Sequence, residues 1–179
     1  MRKTATLTDR TTTHIMLAAA LAAALAASPL RAQNAPTFGV PREGLVAGLS
    51  AKKSTFQLGE PVTLETVVKN VSDKPIYIAI ERPSTASLKF SVVRVVGSSR
   101  QVVPLTDRGS ADTDPMLVGA HNSRRLAPGE ETRLKYPITD LYQMTQPGTY
   151  EISVRVPSPG RTELQSSAMY IELTAADKQ

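Results

Sequence analysis

Apolar and polar residues alternate at period two along most of the chain beyond residue 44. From Val62 to Lys69, Val62, Leu64 and Val68 share one face, with Thr63, Glu65 and Lys69 on the other. Asn70-Val71-Ser72-Asp73-Lys74-Pro75 is a turn cluster, and Ile76, Ile78 and Ile80 resume the alternation behind it. Leu58–Ile80 therefore reads as a β-hairpin at the centre of a layered fold. An isolated hairpin is marginal in water, so its apolar face requires a second sheet.

The rest of the chain supplies strands for that sheet. Leu45, Ala47, Leu49 and Ala51 form one stripe, followed by a short extended piece at Thr55–Gln57 with Phe56 as a core anchor. In Ser87–Val96, Leu88, Phe90 and Val92 share a face before Val93 and Val95 take over, which predicts a bulge near Val92. Gly97-Ser98-Ser99-Arg100 turns into Gln101–Leu105. Arg124–Ala127 and Glu131–Ile138 flank the turn Pro128-Gly129-Glu130, whose adjacent Glu130 and Glu131 are read as facing water. Thr139–Met144 predicts one helical turn capped by Thr139 or Asp140. Tyr150, Ile152, Val154 and Val156 define a further strand, and Met169, Ile171 and Leu173 the last. About eight or nine short strands, with no helix of three turns among them, predict an all-β fold, an antiparallel β-sandwich over residues 45–174. Residues 33–44 read as a flexible lead-in and 175–179 as a disordered tail.

The N-terminus changes the picture of charge and destination. Arg2, Lys3 and Arg10 precede the apolar run Ile15–Ala27, which is shorter than the roughly 20 residues a spanning helix needs. With Ser28-Pro29-Leu30-Arg31-Ala32 behind it, this reads as a signal peptide (1–32) with a helical apolar core, cleaved after Ala32. Four of its residues are cationic and only Asp9 opposes them, so most of the formal +5 charge leaves with it. The remainder has mixed charge and no cluster of cations with interleaved aromatics, which predicts no nucleic-acid partner. The expected destination is periplasmic or extracellular, with no transmembrane segment after processing.

Catalytic chemistry is sparse. Cysteine is absent, and of the two histidines His14 lies in the leader, leaving His121 alone. That excludes a thiolate zinc site, a cysteine nucleophile and a lipidated cysteine, and leaves too few ligands for a histidine-based metal site. No Gly-x-Ser-x-Gly elbow and no phosphate-cradling glycine loop occur. Asp107, Asp112 and Asp114 do not have the spacing of a calcium loop. Asn70-Val71-Ser72 matches a glycosylation acceptor, but the same residue types are what the turn requires. The expectation is a protein without cofactor or metal that is not an enzyme. The longest stretch without period, Thr106–Asn122, is the candidate interaction loop, carried by Asp107, Asp112, Asp114, Met116 and His121.

Pro147-Gly148-Thr149-Tyr150, leading into an alternating strand, resembles the tyrosine corner of immunoglobulin-like sandwiches, in which the hydroxyl bonds backward across a loop. In that scheme Ile152 stands where an antibody domain places its second cysteine, and Pro147, Gly148 and Tyr150 are structural. The phrases FQLGEPVTLETVVKNVSDKPIYI, LAPGEETRLKYPI and QPGTYEISV, in this order, are similar to exported bacterial immunoglobulin-like domains, including the BsuPI-type proteinase inhibitor and macroglobulin-like families. The resemblance implies an immunoglobulin-like sandwich and assigns no functional residue. The expected function is an exported, non-catalytic domain, either a protein-binding module or an envelope accessory. Its partner would be another protein of the cell envelope or exterior. The alternative is a protease inhibitor presenting the 106–122 loop, with Pro115-Met116-Leu117 near its centre, to a protease cleft.

Overall fold

The computed structural model describes residues 35–80, 88–112, 122–159 and 162–175. The leader, Asp114, Met116, His121 and residues 176–179 lie outside the described residues. Among the described residues the chain is mostly β, with twelve strands and two short helices. One sheet has the order β1 (Thr37–Phe38), β2 (Leu45–Ala51), β4 (Thr63–Asn70) and β9 (Glu131–Pro137). The other runs β3 (Thr55–Gln57), β12 (Met169–Thr174), β10 (Gly148–Pro157), β6 (Lys89–Val96) and β7 (Ser99–Val102), with β11 (Glu163–Gln165) also on β10. A separate pair joins β5 (Ile76–Ile80) to β8 (Asn122–Leu126). Helix α1 spans Asp107–Asp112 and α2 spans Ile138–Leu141.

The alternation predicted the inner faces well. Leu45, Ala47, Leu49, Val62, Leu64 and Val68 from the first sheet share one buried cluster with Phe90, Val92, Ile152, Val154, Ile171 and Leu173 from the second. Ile78 and Leu126 of the separate pair join the same core. Two apolar faces closing on each other in this way are what an all-β sandwich requires.

Several expectations are corrected. The stretch 58–80 is not a hairpin: β4 pairs with β2 on one side and β9 on the other, while β5 pairs only with β8. The reason is Asn70. Its backbone N–H donates to the Glu130 carbonyl and its own carbonyl accepts from the Gly129 N–H, both 2.9 Å, so the β4–β9 pairing continues into the turn. With both sides of β4 filled, the chain has to leave the sheet. The strands are twelve rather than eight or nine, and β3 runs parallel to β12, so the sheets are not wholly antiparallel. Part of the 33–44 lead-in is strand, with Thr37 opposite Leu49 and Phe38 opposite Gly48. No bulge interrupts β6, which keeps one register with β10 from Lys89 to Val95. The change of apolar face there marks where β6 leaves the core, since neither Val93 nor Val95 is fully buried.

Candidate interaction site

The loop read from the sequence begins as a helix. Thr106 caps α1: its hydroxyl accepts from the Gly109 N–H at 3.0 Å and donates to the Asp140 carbonyl at 2.5 Å. Arg108 reaches the Asp140 carboxylate at 2.8 Å, and Gly109 lies against the Leu141 carbonyl, so α1 packs onto α2. Asp107 and Asp112 therefore belong to one helix at the root of the loop. The other three candidates, Asp114, Met116 and His121, fall outside the described residues. The structure brings none of the five candidate residues together into a cluster among those it describes.

Helix α2 also differs from expectation. Its N-cap is Pro137, with no side-chain bond. Thr139 instead accepts the Val62 N–H at 3.1 Å, and Asp140 serves Arg108.

Beside this root lies a cleft of about 440 Å³, bounded by Leu58–Pro61, Thr106, Thr139–Asp140, Tyr142–Thr145 and Leu173. Nearly all its polar side chains hold the fold. The Tyr142 hydroxyl donates to the Phe90 carbonyl at 3.0 Å, and burial pushes the phenol's pKa above its ordinary value. Gln143 donates to the Leu105 carbonyl at 2.8 Å. Glu60 is bound by Lys53 at 2.6 Å and accepts the Gln57 N–H at 3.0 Å; these two contacts, Lys53 foremost, hold its carboxyl below the ordinary range.

Glu60 belongs to a device that occurs twice. In Gln57-Leu58-Gly59-Glu60 the Glu60 N–H donates to the Gln57 carbonyl, and the Glu60 carboxylate accepts the Gln57 N–H in return. In Ala127-Pro128-Gly129-Glu130 the same two bonds recur, at 3.0 and 2.8 Å. Gly59 and Gly129 have φ of 88° and 78°, the left-handed conformation a type II turn places at its third residue. Arg124 adds an ion pair to Glu130 at 2.9 Å. The Ala127 N–H and then Arg124 hold the Glu130 carboxyl below its usual range. Glu130 thus faces water in part, as expected, and also clasps the turn, while the similarly half-exposed Glu131 pairs with Arg133 at 2.7 Å. The signal was present in the sequence as a Gly-Glu pair closing each turn.

Tyr150 is buried on β10, and its hydroxyl donates to the Gln146 carbonyl, four residues upstream, at 2.6 Å. Gly148 begins β10 beside the Arg94 side chain, which donates to the Pro147 carbonyl at 2.9 Å. Asn70 is fully buried: its amide nitrogen donates to the carbonyls of Lys74 (2.7 Å) and Leu126 (3.0 Å), and its oxygen accepts from both Ser72 donors.

Sequence reasoning missed the outer face of the second sheet. The pairings place Tyr170, Glu151, Val93 and Val102 in one row across β12, β10, β6 and β7. Tyr170 is 54% exposed and Val102 81%. Between them Glu151 accepts from Arg100 at 2.7 Å and from the Tyr170 hydroxyl at 3.2 Å. An alternation that continues into Val95 and Val102 on the outward side was the available signal.

Among the described residues, no group of three or more histidine or carboxylate side chains is placed to hold a metal, and no helix is long and apolar enough to cross a membrane. Neither a protein-family model nor a curated protein matches the chain. Among solved structures, the chain is similar to a β-glucosidase from Erythrobacter marinus at 13% identity and TM-score 0.38, covering 78% of this chain and 16% of that one. It is also similar to the Pseudomonas fluorescens alkylpurine DNA glycosylase bound to DNA containing an abasic site analog, at 15% identity and TM-score 0.37, covering 74% and 31%. A third is the CARDB domain of a Pyrococcus furiosus protein, at 15% identity and TM-score 0.32, covering 77% and 94%. The chain thus spans 16% of the length of that β-glucosidase. Likenesses at these scores carry no argument about what the chain does.

Proposed function

We propose that this chain is an exported, non-catalytic immunoglobulin-like domain that binds another protein of the cell envelope or exterior. The leader pattern at 1–32 supports export. The backward bond of Tyr150 and the strand order of the two sheets support the immunoglobulin-like reading. The observation that carries protein binding is the row Tyr170–Glu151–Val93–Val102, where exposed Tyr170 and Val102 flank the Glu151–Arg100 ion pair on the outer face of the sheet. Polar groups of the cleft near Tyr142 are spent on backbone bonds and on the Lys53–Glu60 and Arg108–Asp140 ion pairs, which fits a scaffold better than a reaction centre.

The test has two arms. Generic ester, peptide and glycoside substrates should go unconverted; turnover that disappears in His121→Ala would overturn the non-catalytic reading. Crosslinking in the native envelope should capture a protein through residues of this row. Absence of any crosslink from Tyr170 or Val102 would count against the binding surface.

A further inference from the structure

The first sheet ends at β1 and β9, the second at β3 and β7. Exposed sheet edges invite pairing with other chains, and proteins close them with prolines, charges or caps. Three of these edges are closed or minimal. Bonds from Asn70 to Glu130 and from Ile138 to Val62 fix which β9 residues face outward: Glu131, Arg133, Lys135 and Pro137. The first three are charged, and Pro137 has no N–H. On β3, the Gln57 N–H is occupied by the Glu60 carboxylate. β1 has only two residues.

β7 carries no proline and no cap, and its one charged side chain, Arg100, is turned to Glu151 at 2.7 Å. The Val103 N–H donates to the Val92 carbonyl at 2.9 Å. Because antiparallel bonding alternates, the register Val93–Val102 and Val95–Arg100 turns the N–H and C=O of Arg100 and Val102 away from β6. Among the described residues no backbone bond reaches that side. All four β7 residues are exposed.

We propose that β7 is a strand-addition site for an extended segment of a partner polypeptide, bonded through the outward N–H and C=O of Arg100 and Val102. The proposal rests on the binding-module reading and names its site. Side chains fix the partner's chemistry. An apolar residue sits beside Val102, continuing the strip of Val93 and Val95. A carboxylate two positions away sits beside Arg100, whose side chain is 62% exposed. A second copy of this chain fits less well. Four residues at about 3.4 Å each give an edge too short for two rigid sandwiches to bury roughly 800 Å² apiece.

The probe is a random linear-peptide display library panned against the purified protein. Selected peptides should carry an apolar and an acidic residue two apart, and should slow hydrogen exchange at the Arg100 and Val102 amides. Val102→Pro removes an outward N–H and no bond to β6. It should weaken those peptides roughly tenfold, about the worth of one backbone hydrogen bond, with the melting temperature unchanged. If that variant fails to fold, hydrogen exchange on the unsubstituted protein decides the same question. Equal binding by Val102→Pro, or no protection at the two amides, overturns the edge assignment while leaving the binding-module reading intact. Failure to select any peptide, together with no envelope crosslink, overturns both. Protection of the two amides by self-association without peptide overturns the choice of occupant.

Discussion

The ring of Phe90 meets the ring of Tyr136 edge-on, with centroids 5.1 Å apart and planes inclined at 61°. Phe90 belongs to β6 and Tyr136 to β9, so the contact joins the two large sheets across the core. The Phe90 carbonyl also accepts the Tyr142 hydroxyl. Phe90→Ala should cost about 3–5 kcal/mol, measured by urea unfolding, as a large cavity opens between the layers. Phe90→Leu should recover much of that loss. A cost near zero would place the sheets' main contact elsewhere.

Asn70 is the polar counterpart of that contact. Its buried side chain makes three hydrogen bonds within the 70–75 turn and a fourth to Leu126 of β8. Asn70→Asp replaces an amide that donates to two carbonyls with a group that cannot. The Lys74 carbonyl keeps the Ser72 hydroxyl at 2.8 Å, so the expected loss is about 1–3 kcal/mol for the Leu126 carbonyl, larger than for Ser72→Ala at the exposed side of the same turn. Chemical denaturation of the two variants side by side checks the order.

Thr66 runs the other way. It lies on the core face of β4 between Leu64 and Val68, is 1% exposed, and its hydroxyl has no hydrogen-bond partner among the described residues. Thr66→Val keeps the shape and removes the desolvated hydroxyl, so it should stabilise the protein by about 1 kcal/mol. A lower melting temperature in this variant would show that the hydroxyl is satisfied in solution.

The two turn clasps make stability sensitive to acid. Glu60, Glu130 and Glu163 are all held below the ordinary glutamate value, chiefly by Lys53, the Ala127 N–H and Lys89 respectively. For a carboxyl with a lowered folded-state pKa, the contribution is present above the unfolded-state value. It is lost as pH falls through the folded-state value. The melting temperature should therefore fall as pH drops below the normal glutamate range. Glu60→Gln with Glu130→Gln should flatten that acid limb while lowering the plateau at neutral pH.

Much of the fold was legible because burial leaves a local trace. Val62, Leu64, Ile152 and Ile171 announce their faces by alternation alone, and Tyr150 announces its loop by the Pro-Gly before it. Alternation, however, states which face a residue occupies and not which strand lies beside it. Hence it joins β4 to β5, adjacent in sequence, when each has partners far along the chain. Thr37 and Phe38 escape because a two-residue strand has no period to detect. Helix α1 escapes because Gly109 and Ser110 are poor helix formers; only the Thr106 cap and Asp107 in the first turn signal it. Of the candidate loop, Asp107 and Asp112 fall on α1, and Asp114, Met116 and His121 lie outside the described residues. The outer row from Tyr170 to Val102 draws on four strands, and no single stretch of sequence contains it.

β12, the last strand described, lies between β3 and β10, so among the described residues the earliest strand of the second sheet finds its one neighbour far downstream in sequence. A polypeptide made or threaded from its amino end must hold Phe56 unsheltered until Leu173 arrives to pair with it. Closure of that edge then waits on a contact very distant in sequence, the kind that slows folding.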